Sequence, residues 1–444
     1  MKIQHLLTGA VALILIGSAF GQVTVDITGA TAFRAAALDT IKARYVASGA
    51  AFKYAHDQSA GGFNGSTRSI WNGTFNGIAN VTIRCSFNGA VEGINAIVNS
   101  PASDPTYLDN PAAFVAATPT VGGTEVASTT SPVIAAQSEA AFSDVSIAST
   151  PYVTDPEAPV DNPVGVVVFT MIANEGAPAS LTQITSQGFR ALFGGGLQDL
   201  SLLTGNTADA GNLVFATGRN DGSGTRTAYL AETGHGVAIP VNQYTVLTTS
   251  GNTITSIQRV PAGGVNDSDL ITPGIQPYPG QLTTNKSTVW GQDIDGNGGY
   301  SSGSTLRGDM GRTSAAVQVR AADYSVDIAS TPLTLVTWLS LNDALTARTG
   351  GAKILGYDGV TLSDFAVGGT TLTATDKAKV TNGHYAAWSF QQFFNRAVPA
   401  LSANQASVVQ HIRNNVPSNL AAAGIPLGDM AVGRAAADGS TIQP

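Results

Sequence analysis

The chain has 444 residues, with 22 Lys and Arg against 30 Asp and Glu and a formal net charge of -8. Only 12% of residues are charged, about half the ~25% of an ordinary soluble domain, while 43% are hydrophobic and 50 are glycine. The acidic balance, without any Lys/Arg run, excludes the basic footprint of a nucleic-acid binder. One cysteine, Cys85, excludes a disulfide scaffold, a cysteine-based zinc site and an iron–sulfur cluster held within one chain. The five histidines are scattered with no H-x-x-x-H pair, so neither a metal site nor a cofactor is expected. At ~100–200 residues per domain the length predicts two or more lobes.

Lys2 precedes an apolar run from Leu6 to Phe20, and the small residues Ala19 and Gly21 stand just before Gln22. Residues 1–21 read as a secretory signal peptide, because the apolar run is too short for a spanning helix. No cysteine lies near the cleavage point to carry a lipid, and no later stretch reaches ~18 uninterrupted apolar residues. A periplasmic or secreted protein is expected.

After Gln22, the alternation of Val23, Val25 and Ile27 predicts a strand. It runs through the small-residue turn Thr28-Gly29-Ala30-Thr31-Ala32-Phe33 into a helical spacing over Arg34–Ala47. Strand, small turn and helix together aim free backbone N–H groups at a ligand. The same unit recurs at Val81–Ser86 with the turn 88–93, and again at Leu213–Ala216 with Gly218–Gly224. Three such units predict α/β architecture with mostly parallel sheets. The Pro/Ala/Thr/Ser-rich stretch 100–137 reads as a surface insertion, and 250–312 as a second polar, Gly-rich region. The apolar runs Val164–Phe169 and Leu333–Leu341 are candidate crossings between lobes, and 384–434 carries two helical patterns with an aromatic cluster expected in the core.

Gly218-Arg219-Asn220-Asp221-Gly222-Ser223-Gly224-Thr225 concentrates what a tetrahedral anion needs. Its glycines permit close backbone approach, and a helix starting near Thr225 supplies a positive end. Ser223 and Thr225 add hydroxyls, Arg219 a planar fork, and Asp221 a carboxylate to hold that guanidinium. A helix cap behind a glycine turn, with Arg219 on the surface, fits the same spacing.

Arg219-Asn220-Asp221-Gly222-Ser223-Gly224-Thr225 resembles the Arg-x-Asp-x-Ser-Gly-Thr signature of the periplasmic phosphate-binding proteins, the substrate receptors of phosphate ABC transporters. Gly29-Ala30-Thr31-Ala32-Phe33 is similar to that family's first phosphate-binding loop, and Phe142-Ser143-Asp144 to its strand-closing Ser-Asp. Weaker likenesses follow at Val164–Asn174, Leu181–Gly196 and Gly383–Trp388. The resemblance implies a two-lobed type II periplasmic-binding-protein-like fold with mixed sheets flanked by helices and a hinge of two crossing strands. Residues 22–163 with 340–444 would form lobe 1, and 164–339 lobe 2. It further implies inorganic phosphate as ligand, an ABC permease as partner, a monomer, and no enzymatic activity. The implied contacts are Thr31, Ala32, Phe33, Asp144, Arg219, Ser223, Gly224 and Thr225, with Asp221 behind Arg219. An exported scaffold on the same fold that has lost its ligand is the alternative reading.

The chain departs from that pattern where the family's second loop reads Gly-Ser-Ser-Gly-Gly. Here it is Gly89-Ala90-Val91-Glu92-Gly93, so a hydroxyl is missing and a carboxylate is close by. Asp293-Ile294-Asp295-Gly296-Asn297-Gly298 satisfies half of a calcium loop, but the twelfth position is Ser304 where a Glu is expected. A solvated turn is expected there. Ser223 lacks the glycine two residues earlier that a G-x-S-x-G elbow requires, and no Walker A loop is present. Cys85 is expected to pack as a small buried hydrophobe.

Overall fold

The computed structural model describes residues 22–57, 65–109, 115–117, 132–260, 298–300, 302–321, 326–420, 424–436 and 438–444. The expected signal segment 1–21 and the candidate calcium-loop residues 293–297 lie outside these. Among the described residues no helix is long and apolar enough to cross a membrane.

The first half of the fold comprises β1 (Val23–Gly29), α1 (Arg34–Ala47), β2 (Phe52–His56), β3 (Arg68–Phe75), β4 (Ile78–Ser86), α2 (Ala90–Val98) and β5 (Ala140–Ser143). β1 lies between β4 and β5, parallel to both, and β4–β3–β2 continue outward as antiparallel neighbours. An eleven-residue strand, β6 (Pro163–Ala173), follows and is buried along its length except at Pro163. Its continuous apolar sequence fits a strand covered on both faces.

β6 joins the two halves by changing partners at its middle. Its first part runs antiparallel to β14 (below), with Val168 opposite Trp388. From Phe169 onward it pairs with the second half instead, which contains α3 (Ser186–Gly195), β7 (Leu213–Ala216) and α4 (Gly224–Glu232). Next come β8 (Tyr244–Ser250), β9 (Thr253–Arg259), α5 (Gly303–Met310), β10 (Thr313–Arg320) and β11 (Val326–Thr331). The chain ends with β12 (Leu333–Ser340), α6 (Leu341–Thr349), β13 (Lys353–Tyr357), α7 (Ala374–Thr381), β14 (Trp388–Asn395) and α8 (Ala403–Asn415). β12 runs antiparallel to β6 over 169–173 and β13 over 171–173, and β7 is parallel to β12. The α/β class and the mixed sheets agree with expectation.

Four expectations are corrected. Antiparallel pairing is commoner than parallel, which among the described strands is found for β1 with β4 and β5, β7 with β12, β9 with β10, and Gln183–Ile184 with β13. The return to the first half is not at 333–341: β13 is still hydrogen-bonded to the second half, so the chain recrosses between Tyr357 and Trp388. That moves residues from 340 to about 385 out of the expected first lobe. Of the region 250–312, residues 261–297 lie outside the described ones, and β9 within it is no insertion but joins β8, β10 and β11 in a separate four-stranded sheet. Finally, the aromatics after His384 lie mostly on strand β14 rather than a helix, leaving α8 as the α-helix of that segment. The period of two at Trp388, Phe390 and Gln392 is broken by the adjacent pair Phe393-Phe394, which obscures the strand signal.

Aromatic packing fixes the elements that face the junction. Phe142 at the end of β5 stacks on Phe33 at 5.1 Å and meets Phe393 edge-on at 4.7 Å, tying the first loop to β5. Tyr229 of α4 packs against Phe189 at 5.2 Å and Trp338 at 6.1 Å. Gly29 has φ +118° and lies against the Phe142 backbone with no room for a Cβ, which allows the Ala30 N–H to donate to the Phe142 carbonyl at 2.7 Å. Cys85 is a fully buried free thiol, as expected, and burial pushes its pKa up to about 12.

Candidate functional site

Three loops converge where the halves meet: Ala30–Phe33 before α1, Asp144 after β5, and Gly218–Ser223 before α4. Ser223 caps α4, its hydroxyl oxygen accepting from the Arg226 N–H. No acceptor among the described residues takes the Gly224 or Thr225 amide hydrogens, as the first turn of a helix dictates.

Asp144, from the first half, sits on that helix end. Its Oδ2 accepts from the Thr225 hydroxyl at 3.1 Å. Its Oδ1 lies so close to Gly224 that a Cβ there has no room. That Oδ1 is buried and has no hydrogen-bond partner among the described residues. A mirror-image contact runs the other way. The Gly222 carbonyl, from the second half, accepts from the Val91 and Glu92 amides at 3.1 and 3.4 Å. It thereby caps α2, so that helix end is occupied by protein. Glu92 packs under Gly222, where no Cβ would fit.

Arg219 is buried to 2% exposure at this junction. Its Nε donates to the Tyr300 carbonyl at 2.9 Å, and its Nη1 reaches the Thr31 hydroxyl of the first half at 3.5 Å. The strand-like bridge between Arg219 and Tyr300 holds the loop, with Tyr300 N–H donating to Gly218 and Asn220 N–H to Tyr300, both at 3.1 Å. Tyr300 is itself fixed by donating to Asp309 Oδ2 at 2.8 Å and accepting from Val246 N–H at 3.1 Å. The Tyr300 carbonyl thus holds the guanidinium; Asp221, expected to do so, exerts its charge on the buried Arg226.

Burial lowers the Arg219 pKa to about 10, opposed chiefly by Asp343 and then by Asp144, so the group stays charged at neutral pH. Asp343, in the first turn of α6, is held by Arg307 at 2.8 Å. A second buried guanidinium, Arg34, opens α1 directly after the first loop, its pKa also lowered by burial. A small cleft lined by Ala32, Ala36, Ser340 and Asn342 lies between α1 and α6.

Thr31, Asp144, Arg219, Ser223, Gly224 and Thr225 are therefore brought together, with Ala32 beside them. Phe33 is a correction: its N–H donates to the Ala30 carbonyl at 3.1 Å, closing the turn, and its ring is in the core. Sequence reasoning missed Tyr300, Asp343 and Arg34. Only Tyr300 carried a signal, as the one aromatic in the run Gly298-Gly299-Tyr300-Ser301-Ser302-Gly303.

No protein-family model matches the chain, and a search of curated proteins finds no match. Among solved structures it is similar to a protein assigned as a phosphate ABC transporter substrate-binding protein, with bound phosphate, from Clostridium perfringens, at 11% identity and TM-score 0.43. That match covers 91% of this chain and 99% of the other. An ABC-type phosphate transport receptor from Vibrio cholerae matches at 9% identity and TM-score 0.40, covering 89% and 98%. PstS from Borrelia burgdorferi matches at 10% identity and TM-score 0.35, covering 91% and 99%.

Burial raises the Asp144 carboxyl from its ordinary 3.8 to about 6, while its own backbone amide, Arg219 and Thr225 pull it down and Asp438 adds to the rise. An acid with a raised folded pKa contributes full stability below its unfolded pKa, and that contribution is lost as pH rises through about 6. A rise of roughly two pH units corresponds to about 3 kcal/mol at high pH. Asp144→Asn is therefore expected to be more stable than wild type at pH 8 by about 1–3 kcal/mol, and no more stable at pH 4. Urea unfolding without ligand at the two pH values checks this; an advantage of equal size at both would contradict the assignment.

Proposed function

We propose that the chain is an exported receptor that closes two lobes over inorganic phosphate or a related tetrahedral oxyanion, delivers it to an ABC-type permease, and performs no chemistry on it. One observation carries this reading. A buried, charged guanidinium from one half stands within 3.5 Å of a hydroxyl from the other, beside the open amides of α4.

Arg219 neutralises the anion with its fork; the Ser223 hydroxyl and the Gly224 and Thr225 N–H groups donate from the second lobe, and Thr31 with the Ala32 N–H donates from the first. Asp343, itself held by Arg307, and Asp144 keep the guanidinium from being a bare charge before the ligand arrives. Five or six charge-assisted hydrogen bonds at roughly 1.5–3 kcal/mol each exceed the ~8 kcal/mol of a micromolar complex. The surplus offsets closure and ordering. A ligand adds to the stability of the closed form only to the extent that this form makes more contacts with it than an open one. The net charge of -8 slows encounter but does not set the local potential.

Asp144 Oδ1 supports the choice among anions. An ionised carboxylate only accepts, so it can take a proton still carried by phosphate or arsenate at pH 7. Sulfate carries none and would meet a like charge in a desolvated site.

Arg219→Ala is expected to weaken phosphate binding by about 3 kcal/mol or more, over 100-fold, since it strips a buried site of its principal cation. Titration calorimetry alongside circular dichroism measures this, and unchanged affinity in a folded variant would remove Arg219 from the site. The wild-type protein is further expected to reject sulfate at pH 7.5 and to begin binding it as pH falls through about 6, when Asp144 gains a proton. Asp144→Asn should accept sulfate at pH 7.5 already. Equal binding of the two anions by wild type at pH 7.5 would show that Asp144 does not read the ligand proton.

A further inference from the structure

The last twenty residues contain a short hairpin, Gly433–Arg434 paired with Ile442–Gln443. Its lead-in is anchored in the first half, where Gly424 and Ile425 pair with Val167 and Val166 of β6. From there the hairpin reaches across the junction and touches the supports of both anion-facing groups.

On the first-half side, Asp438 Oδ2 accepts from the Ser146 N–H at 2.8 Å and from the Ser146 hydroxyl at 3.2 Å. Ser146 is two residues beyond Asp144. On the second-half side, Arg434 pairs with Glu232 at 2.7 Å, at the last residue of α4. Gly439, with φ +72°, lies on the Ala231 carbonyl so closely that a Cβ has no room. Arg434 also donates to the Ala386 and Trp388 carbonyls, both at 2.7 Å, and stacks over the Trp388 ring at 4.5 Å. Those carbonyls belong to the segment by which the chain recrosses into the first half.

α4 therefore has its N-terminus on Asp144 and its C-terminus under this hairpin, while the loop carrying Asp144 is tied to the same hairpin. We propose that the hairpin is a strap between the two lobes, with Asp438 and Arg434 as positioning residues. It holds α4 and the Asp144 loop in register, keeps the ligand-free protein closed, and sets how fast a captured anion leaves. The closed-state claim stands on these contacts alone; the release rate rests in addition on the anion-receptor reading.

The test separates the two. Spin labels are placed through Lys53→Cys in the first half and Leu202→Cys in the second, both exposed positions. Cys85, buried and with its thiol pKa pushed up to about 12, does not compete for label. Pulsed electron resonance on the ligand-free protein should give one narrow distance distribution for wild type. Asp438→Ala should broaden it and shift it to longer distance, and Arg434→Lys, which keeps the charge but not the fork, should move it the same way. Asp438→Asn retains an acceptor for the Ser146 N–H and should restore much of the wild-type distribution. Distributions unchanged by Asp438→Ala and Arg434→Lys overturn the strap.

In stopped flow with inorganic phosphate, Asp438→Ala should release the anion about tenfold faster with little change in association rate, as expected when only the closed complex is weakened. An unchanged release rate removes the strap's role in retention. A wild type that binds no phosphate overturns the receptor reading instead, while the distance measurement still decides the strap.

Discussion

Each half of this molecule places an acceptor at a helix N-terminus of the other, taking the Thr225 hydroxyl of α4 in one case and two amides of α2 in the other. Asp144 from the first half sits on α4, and the Gly222 carbonyl from the second half sits on α2. The first turn of a helix leaves amide hydrogens with no partner inside the helix, and its dipole makes that end attractive to negative charge. Two such ends face a buried junction, and each needs an acceptor. The two-fold exchange of acceptors gives the closed arrangement its own hydrogen bonds. Its cost is concentrated on one group, the Asp144 carboxylate, which burial makes reluctant to ionise.

On the anion-receptor reading, that cost would couple the junction to a ligand. Arg219 and Asp144 place a cation and a carboxylate in a region nearly free of solvent, with the half-buried Asp343 at its edge. Isolated charges there would be expensive, and each is offset by a specific neighbour: Tyr300 for Arg219, Thr225 for Asp144, Arg307 for Asp343. On the proposed reading, an anion between Arg219 and Thr31 would add a charge partner to a guanidinium whose charge is offset by Asp343 and Asp144. On the same reading, a ligand proton would meet Asp144 Oδ1, which is buried with no hydrogen-bond partner among the described residues. The low overall charge of the chain leaves these few groups to set the local field.

The sequence made the strand–turn–helix units legible because their signals are local. Val23–Ile27, the small turn and Arg34–Ala47 obey periodicities of two and then 3.6, and α1 spans those helical residues. Arg219 to Thr225 was legible for the same reason, as a glycine turn entering a capped helix. Phe33 was misjudged because spacing cannot tell a ligand-facing amide from one that closes its own turn on Ala30. Tyr300 lies about eighty residues from Arg219 and meets it only through a tertiary backbone bridge, which no local pattern encodes. The recrossing point was misread at Leu333–Ser340 because an apolar strand looks alike in either half. Only its pairing with Phe169–Ala173, beside β13, assigns it to the second half.

The most direct test is titration calorimetry of inorganic phosphate into the unaltered protein at pH 7.5. The convergence of Arg219, Thr31, Ser223 and the α4 amides predicts one site per chain with a dissociation constant in the micromolar range or tighter, on the order of -8 kcal/mol. Binding no stronger than millimolar, in a protein shown by circular dichroism to be folded, would contradict a junction built to close over an anion.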